Sequence, residues 1–390
     1  MTYPTDSAYY LFDQQAVTNR VAQLRGMLPR QISLCYAVKA NTFIIDALRG
    51  AVERFEVCSP GEAQICDRLG VPPEQTVISG VYKTPQVIES MVRNAADRIY
   101  TVESLTQFDL LRSLSESYRR RIPVLLRLTN GSQFGINEDE LEQLVAARER
   151  CAYLDLLGIQ YFSGTQKTSL KKLQREIEHL DRLLLHLQQT YGFTARELEY
   201  GPGLPVAYFS GDTLEEEALL SGFSALLNGM CAKPKITLEL GRSIAACCGR
   251  YYTHVVDIKR NNGQNYLLVD GGMHHIVYFG QHMAMKQPFI SVCGKEAQPA
   301  TESWNICGSL CSMNDILAKQ VPLPDIQIGD TLCFEKTGAY CMTEGVSLFL
   351  SRELPAVYLQ TADGTICLRH TVQTAPLNTP IFSTTNTERN

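Results

Sequence analysis

Between about residues 30 and 245, short runs of β-branched, aromatic and aliphatic residues alternate with longer stretches whose apolar positions recur every three or four residues. The short runs predict strands at 33–38, 55–58, 76–80, 98–102, 123–128, 156–162, 198–201 and 236–239, each followed by a polar or glycine-bearing turn. The intervening stretches predict helices. The clearest covers 170–189, where Leu170, Leu173, Ile177, Leu180, Leu184 and Leu187 share one face and charges occupy the other. Eight such alternations match the size and rhythm of a (β/α)8 TIM barrel, an α/β fold. A doubly wound open sheet competes with it, but eight units are long for that fold and no G-x-G-x-x-G follows the first strand.

After about Ala245 the texture changes. Strand patterns at 251–259 and 266–269 flank Asn261-Asn262-Gly263, a hairpin signal. Further short strands are predicted at 331–335, 357–359 and 365–368, with no long amphipathic helix. The expected organisation is therefore an N-terminal segment (1–29) packing with the β domain, a barrel (30–245), a C-terminal all-β domain (246–375) and a polar tail (376–390).

Composition narrows the function classes. The 390 residues carry 36 Lys plus Arg against 41 Asp plus Glu, a net charge of −5. No surplus of cations exists to displace phosphate counterions, which argues against a nucleic-acid partner. No apolar run is long enough to cross a bilayer, and the first residues lack a basic-then-apolar profile. The thirteen cysteines are odd in number and scattered, with no Cys-x-x-Cys. That pattern suits small buried thiols in a reducing cytoplasm better than a disulfide framework or a structural zinc site.

In a barrel, chemistry belongs at the C-terminal ends of the strands. Those positions read Lys39, Ser59, Lys83, Glu103, Arg127, Phe162 to Gln166, Gly201-Pro202-Gly203 and Glu239 to Arg242. A lysine ending an apolar strand is the odd member. At a barrel mouth, burial and neighbouring cations depress an amine's pKa and make it nucleophilic, whereas the plainer reading is a lysine snorkelling from a strand end.

Tyr36-Ala37-Val38-Lys39-Ala40-Asn41 resembles the motif whose lysine holds pyridoxal 5'-phosphate (PLP) in alanine racemases and in diaminopimelate/ornithine decarboxylases. Further likenesses follow in order along nearly the whole chain: Phe55 to Glu62, Gly80 with Lys83-Thr84, Gln133 to Ile136, Gly158 to Gln166, Gly201-Pro202-Gly203 and Glu239 to Arg242. Beyond them stand Val269 to Met273, Cys311 with Asp315, Gly338-Ala339-Tyr340 and Phe349 to Arg352. The Cys-x-x-x-Asp and Gly-Ala-Tyr elements are similar to the decarboxylase branch rather than the racemases.

The resemblance implies a PLP-dependent carboxy-lyase of amino acids. Lys39 would carry the cofactor as a Schiff base, and Glu239 would pair with the pyridine nitrogen. Phe162 would stack on the ring where the family usually has histidine. Gly201, Gly203, Gly241 and Arg242 would hold the phosphate on backbone N–H groups, with Thr165 and Tyr340 adding hydroxyls. Cys311 would protonate Cα after CO2 departs, supplied by the partner in a homodimer, and Asp315 would stand with the substrate-binding residues and shape that loop or a subunit contact.

Three substrate-reading positions depart from the family. Where ornithine- and diaminopimelate-type enzymes carry acids or an arginine for the distal group, this chain has Ser312, Tyr278 and His282. Loss of those charges weakens selection of a terminal ammonium. The His274-His275 to Pro288 segment is similar to a subgroup that decarboxylates conjugated or carrier-linked amino acids. For these histidines a substrate-facing or hydrogen-bonded role outweighs metal binding, because no acid or cysteine lies at suitable spacing. The leading expectation is a diaminopimelate decarboxylase-like enzyme, with a conjugate decarboxylase as the alternative. A racemase is disfavoured by Cys311, Asp315 and Tyr340, and a non-catalytic relative by the full cofactor set.

Overall fold

The computed structural model of the protein describes residues 7–94, 97–281 and 284–380. Its described residues divide into two units, one comprising those within Gln14–Ala207 and Asp212–Cys248, the other those up to Asp13, Tyr208–Gly211 and those from Gly249 to 380.

The strands, in chain order, are β1 (Tyr9–Asp13), β2 (Ser33–Ala37), β3 (Arg54–Val57), β4 (Thr76–Ile78), β5 (Ile99–Val102), β6 (Ile122–Arg127), β7 (Leu154–Phe162), β8 (Glu197–Gly201) and β9 (Lys235–Leu240). They continue as β10 (Gly249–Asn261), β11 (Gln264–Val269), β12 (Ile290–Val292), β13 (Glu302–Cys307), β14 (Ile316–Leu323), β15 (Thr331–Glu335), β16 (Ala356–Thr361) and β17 (Gly364–Arg369).

The first unit is the expected barrel. β2 to β9 are parallel, pair in chain order, and close through β2 and β9 with Cys35 opposite Glu239. Each of the eight strands read from the sequence is present, with ends displaced by three residues or fewer. Helices connect them for local reasons. Ser59 and Ser104 cap the helices Pro60–Arg68 and Leu105–Tyr118 by accepting the N–H groups of Glu62 and Gln107. The helix Leu170–Tyr191 buries Leu173, Ile177, Leu180, Leu183, Leu184 and Leu187 and ends at Gly192 with φ of 60°, a left-handed stop that suits glycine. Inside the barrel one cluster is apolar, made of Cys35, Val77, Ile99 and Leu125. Polar residues are enclosed as well: Glu197, Glu199 and Thr237 are buried, with the partly buried Arg54 paired to Glu197.

The N-terminal segment divides at Asp13. The helix Gln14–Met27 belongs to the barrel unit, because its apolar face (Val17, Val21, Leu24) is buried there and Arg20 donates to the Ser243 carbonyl at 2.7 Å. The expectation that residues 1–29 pack as one piece with the β domain therefore does not hold beyond β1.

The second unit is a nine-stranded sheet with the path β14-β13-β11-β10-β1-β16-β17, and β15 pairing both β10 and β12. β1 runs antiparallel to β10 and parallel to β16, so Tyr9 lies between Tyr252 and Ala356. The Tyr9 and Tyr252 rings stack at 4.8 Å. The hairpin turns at Asn262-Gly263, both with positive φ. β1, β12, β13 and β14 escaped the pattern reading. β13 and β14 pair through bulges that break the period of two, and β14 carries Lys319, Gln320 and Pro322. Residues 381–390 of the expected polar tail lie outside the described residues.

Candidate active site

Lys39 stands in a short turn, Val38–Ala40, directly after β2. Its Nζ lies 2.8 Å from Glu56 Oε2 on β3, 3.4 Å from Glu239 Oε1 on β9 and 3.5 Å from Cys58 Sγ. The expectation of neighbouring cations is thus corrected: the nearest charges are two carboxylates, because β3 and β9 flank β2 in the closed barrel. Glu56 was not read as a site residue. Its oxygens are both occupied, since Cys58 Sγ donates to Oε1 at 3.0 Å. The signal available was an acid at the centre of an apolar strand, Phe55-Glu56-Val57.

Glu239 is fully enclosed. Its Oε2 accepts a hydrogen bond from Gln160 Nε2 at 3.0 Å, a second residue the sequence reading passed over. Burial and the Glu56 carboxylate push its pKa up to about 7, against the pull of Lys39 and Arg127. Glu56 titrates low instead. Burial opposes ionisation, but the Lys39 ammonium, the thiol hydrogen bond and Arg127 together outweigh it. Around the rim, Arg127 pairs with Glu103 at 2.9 Å and lies over the Phe134 ring at 4.7 Å. The buried Lys83 amine, pushed down to about 8 by burial, donates to the Gly80 carbonyl at 2.9 Å and Gln107 Oε1 at 3.1 Å.

A second group of expected residues lies at the ends of β7, β8 and β9. Arg242 Nε is 3.3 Å from Thr165 Oγ1. Gly203 has φ of 62°, and a Cβ there would sit 2.0 Å from the Gly164 carbonyl oxygen. Only glycine lets these two backbones lie together beside Thr165. At Gly201 a Cβ would meet the Phe162 ring at 2.5 Å, so the half-buried Phe162 packs on bare backbone. Gly241 precedes the short helix Arg242–Ala245 and accepts the Ala245 N–H at 3.0 Å. Lys39, Phe162, Thr165, Gly201, Gly203, Glu239, Gly241 and Arg242 thus all stand at the C-terminal ends of barrel strands.

The other expected residues belong to the second unit. Cys311 is exposed in the loop between β13 and β14. Asp315 closes that loop: Oδ1 accepts the Met273 N–H at 2.7 Å and Oδ2 the Leu310 N–H at 2.8 Å. A Cβ on Gly272 or Gly308 would strike this carboxylate at 2.6 or 2.2 Å. Asp315 is therefore spent on backbone, which makes it a loop-former and removes it as a substrate ligand. Ser312 Oγ accepts the Asn314 N–H at 3.3 Å. Tyr278 is buried between Tyr208 and Phe209 and donates its hydroxyl to the Glu335 carbonyl at 2.6 Å, a core position rather than a substrate-facing one. Tyr340 is half-buried with φ of 64°, and its carbonyl accepts the Thr343 and Glu344 N–H groups. His282 lies outside the described residues. His274 and His275 are buried; burial first, then neighbouring positive charge, pushes His274 down to about 3, while burial holds His275 at about 4. Both are neutral at physiological pH.

The donor set of the barrel fits pyridoxal phosphate. It offers an amine, an anchored acid whose proton is exchangeable near neutral pH, and a guanidinium and hydroxyl beside glycine turns closed too tightly for any Cβ.

Comparison with known proteins agrees. The family model described as "Pyridoxal-dependent decarboxylase, pyridoxal binding domain" matches residues 14–246. The chain is 26% identical to the L-glutamyl-[BtrI acyl-carrier protein] decarboxylase of Niallia circulans, over 92% of this chain and 90% of that protein. It is also 26% identical to the diaminopimelate decarboxylase of Helicobacter pylori strain J99, over 87% and 86%. Among solved structures, diaminopimelate decarboxylase from M. jannaschii superposes with a TM-score of 0.85 at 20% identity, covering 96% of this chain and 92% of that one.

Proposed function

Because this chain belongs to the pyridoxal-dependent decarboxylase family and is a PLP-dependent carboxy-lyase of amino acids, we propose specific roles for its residues and a substrate class. Lys39 holds the cofactor covalently, and Glu56 receives and orients the Lys39 amine. Glu239, fixed by Gln160, keeps the pyridine nitrogen protonated. Thr165, Arg242 and the backbone of Gly201, Gly203 and Gly241 hold the phosphate, and Phe162 packs against the ring. When bound, the cofactor supplies the electron sink that accepts the pair released as CO2 leaves. The observation that carries this reading is the Lys39 amine set between Glu56 and Glu239, three groups brought from adjoining strands to one end of the barrel.

Cys311 is the proposed proton donor to Cα, delivered by a second copy of the chain. Support comes from its exposure at the tip of a loop locked by Asp315, and from the apolar residues on the same unit: Met313 is 92% exposed, Phe349 47% and Leu350 51%. The odd number and scattered positions of the thirteen cysteines support a reducing, cytoplasmic setting.

For the substrate, we favour an α-amino acid whose far end is conjugated. Neither Ser312 nor the buried Tyr278 offers the charge that a free distal amino or carboxyl group needs, and the Niallia circulans relative is named for a carrier-linked glutamyl group. Diaminopimelate, in the name of the Helicobacter pylori relative, is the second reading. CO2 release from the PLP-loaded protein separates them. The account expects turnover of amide-conjugated amino acids and little from meso-diaminopimelate; rapid release from diaminopimelate overturns the substrate proposal.

A further inference from the structure

The floor of the cofactor site contains one acid that the proposed chemistry does not use. Glu199, on β8, is fully buried, and neither carboxyl oxygen has a hydrogen-bond partner. Among the described residues its one ion-pair neighbour is Arg54, at 3.8 Å. That guanidinium is already matched by Glu197, through Nη1 to Oε1 and Nη2 to Oε2 at 3.0 Å. Every other buried charge around it has its own counterpart. Lys39 faces Glu56 and Arg127 faces Glu103, while Glu239 faces the ring nitrogen in the proposed complex. No cation remains for Glu199, and an unpaired carboxylate in a dry interior costs far more than taking up a proton.

A protonated Glu199 has an O–H to donate, and one acceptor beside it is unfilled. Gln160 on β7 is the direct cross-strand partner of Glu199, so both side chains project from the same face of the barrel wall. Gln160 is also buried; Nε2 donates to Glu239, but Oε1 has no partner. A buried acceptor left bare is as costly as a buried donor left bare.

We propose that Glu199 is a neutral carboxylic acid that donates its proton to Gln160 Oε1, fixing the Gln160 amide so that its Nε2–H points at Glu239. Glu199 is thus a positioning residue acting through Gln160, and the inference rests on the role proposed above for Glu239. Without that donor, Gln160 Oε1 is left a bare buried acceptor and the amide loses one of the two bonds that hold its orientation toward Glu239. Burial, then the Glu239 charge, hold Glu199 well above the usual carboxylate range against the pull of Arg54, in keeping with this state.

The test uses two variants. Glu199→Gln keeps a donor of the same shape, and Glu199→Met removes it. Infrared difference spectra of cofactor-free protein at pH 9, where Glu239 is ionised, should show the carbonyl stretch of a protonated carboxylic acid in the wild type and its loss in Glu199→Gln. In titrations with PLP, Glu199→Gln should bind as the wild type does. Glu199→Met should bind at least about tenfold more weakly, the cost of one mis-set hydrogen bond to a charged group, with a displaced pH midpoint for the bound cofactor's absorbance. No protonated-acid band lost in Glu199→Gln, or wild-type affinity and pH midpoint in Glu199→Met, overturns the proposal. The infrared result decides the protonation of Glu199 whether or not the chain takes up PLP, so it fails separately from the functional reading.

Discussion

Replacing Glu239 by glutamine should stabilise the cofactor-free protein while damaging its function. Glu239 titrates at about 7 in the fold, against 4.5 for an ordinary glutamate, with burial as the main cause and Glu56 next. Between those two pH values the native state holds a proton that the unfolded chain has released. Stability therefore falls as pH rises through this window, and the loss is complete above about pH 7. At about 1.4 kcal/mol per pKa unit, the penalty approaches roughly 3 kcal/mol, with water penetration reducing it. Glu56 acts in the other direction and elsewhere: its pKa is lowered, so its contribution is lost only as pH falls below the ordinary glutamate value. Glu199, proposed above to stay neutral, adds the same to both proteins as long as it keeps its proton across this range. Urea unfolding of wild-type and Glu239→Gln apoprotein at pH 5 and pH 8 reads the difference. The variant should be nearly equal at pH 5 and more stable by about 2 kcal/mol at pH 8. The same variant should bind PLP weakly and release little CO2, because an amide cannot hold the pyridine nitrogen protonated. A variant no more stable than wild type at pH 8 refutes the reasoning, since it shows that Glu239 is not a strained, buried charge.

Two other perturbations follow from the geometry. Gly203→Ala must place a Cβ 2.0 Å from the Gly164 oxygen in a left-handed conformation costing about 1–2 kcal/mol, so Thr165 shifts away from Arg242. Its PLP affinity should fall about tenfold or more, while Gly211→Ala, with open space around it, serves as a neutral control; an unchanged Gly203→Ala titration excludes that turn from phosphate binding. Arg54→Met leaves Glu197 buried with the Thr237 hydroxyl, at 2.8 Å, as its hydrogen-bond donor, and should cost about 3–5 kcal/mol in urea unfolding at neutral pH. Adding Glu197→Met should recover most of that loss, and a double variant as unstable as the single one shows that packing, not charge, is responsible.

The barrel was legible because its strands are short, apolar and separated by helices with strong amphipathic spacing. The helix Leu170–Tyr191 is the plainest example. The second sheet was legible where a turn marks it, as at Asn262-Gly263, and not at β13 and β14, where bulges and polar side chains break the alternation. Lys39, Glu239, Arg242 and the glycines could be picked out because they stand at strand ends or in turns. Gln160 and Glu199 could not, and Glu56 only as an acid within an apolar strand. Their alternation, as in Glu197-Leu198-Glu199, is the same whether the polar face meets water or the barrel interior. A period of two assigns side chains to faces but does not say which face is wet. Tyr278 misled for a related reason: a hydroxyl-bearing ring near a substrate-reading position can spend its hydroxyl on backbone, as this one does on Glu335.

The central claim is that Lys39 is the residue that carries the cofactor. Reduction of the PLP-loaded protein with borohydride, followed by proteolysis and mass spectrometry, tests it most directly. The account predicts one pyridoxyl adduct per chain, on the peptide containing Tyr36-Ala37-Val38-Lys39, and none in Lys39→Ala. An adduct on Lys83 or Lys167, both buried lysines, or no adduct at all, would contradict it.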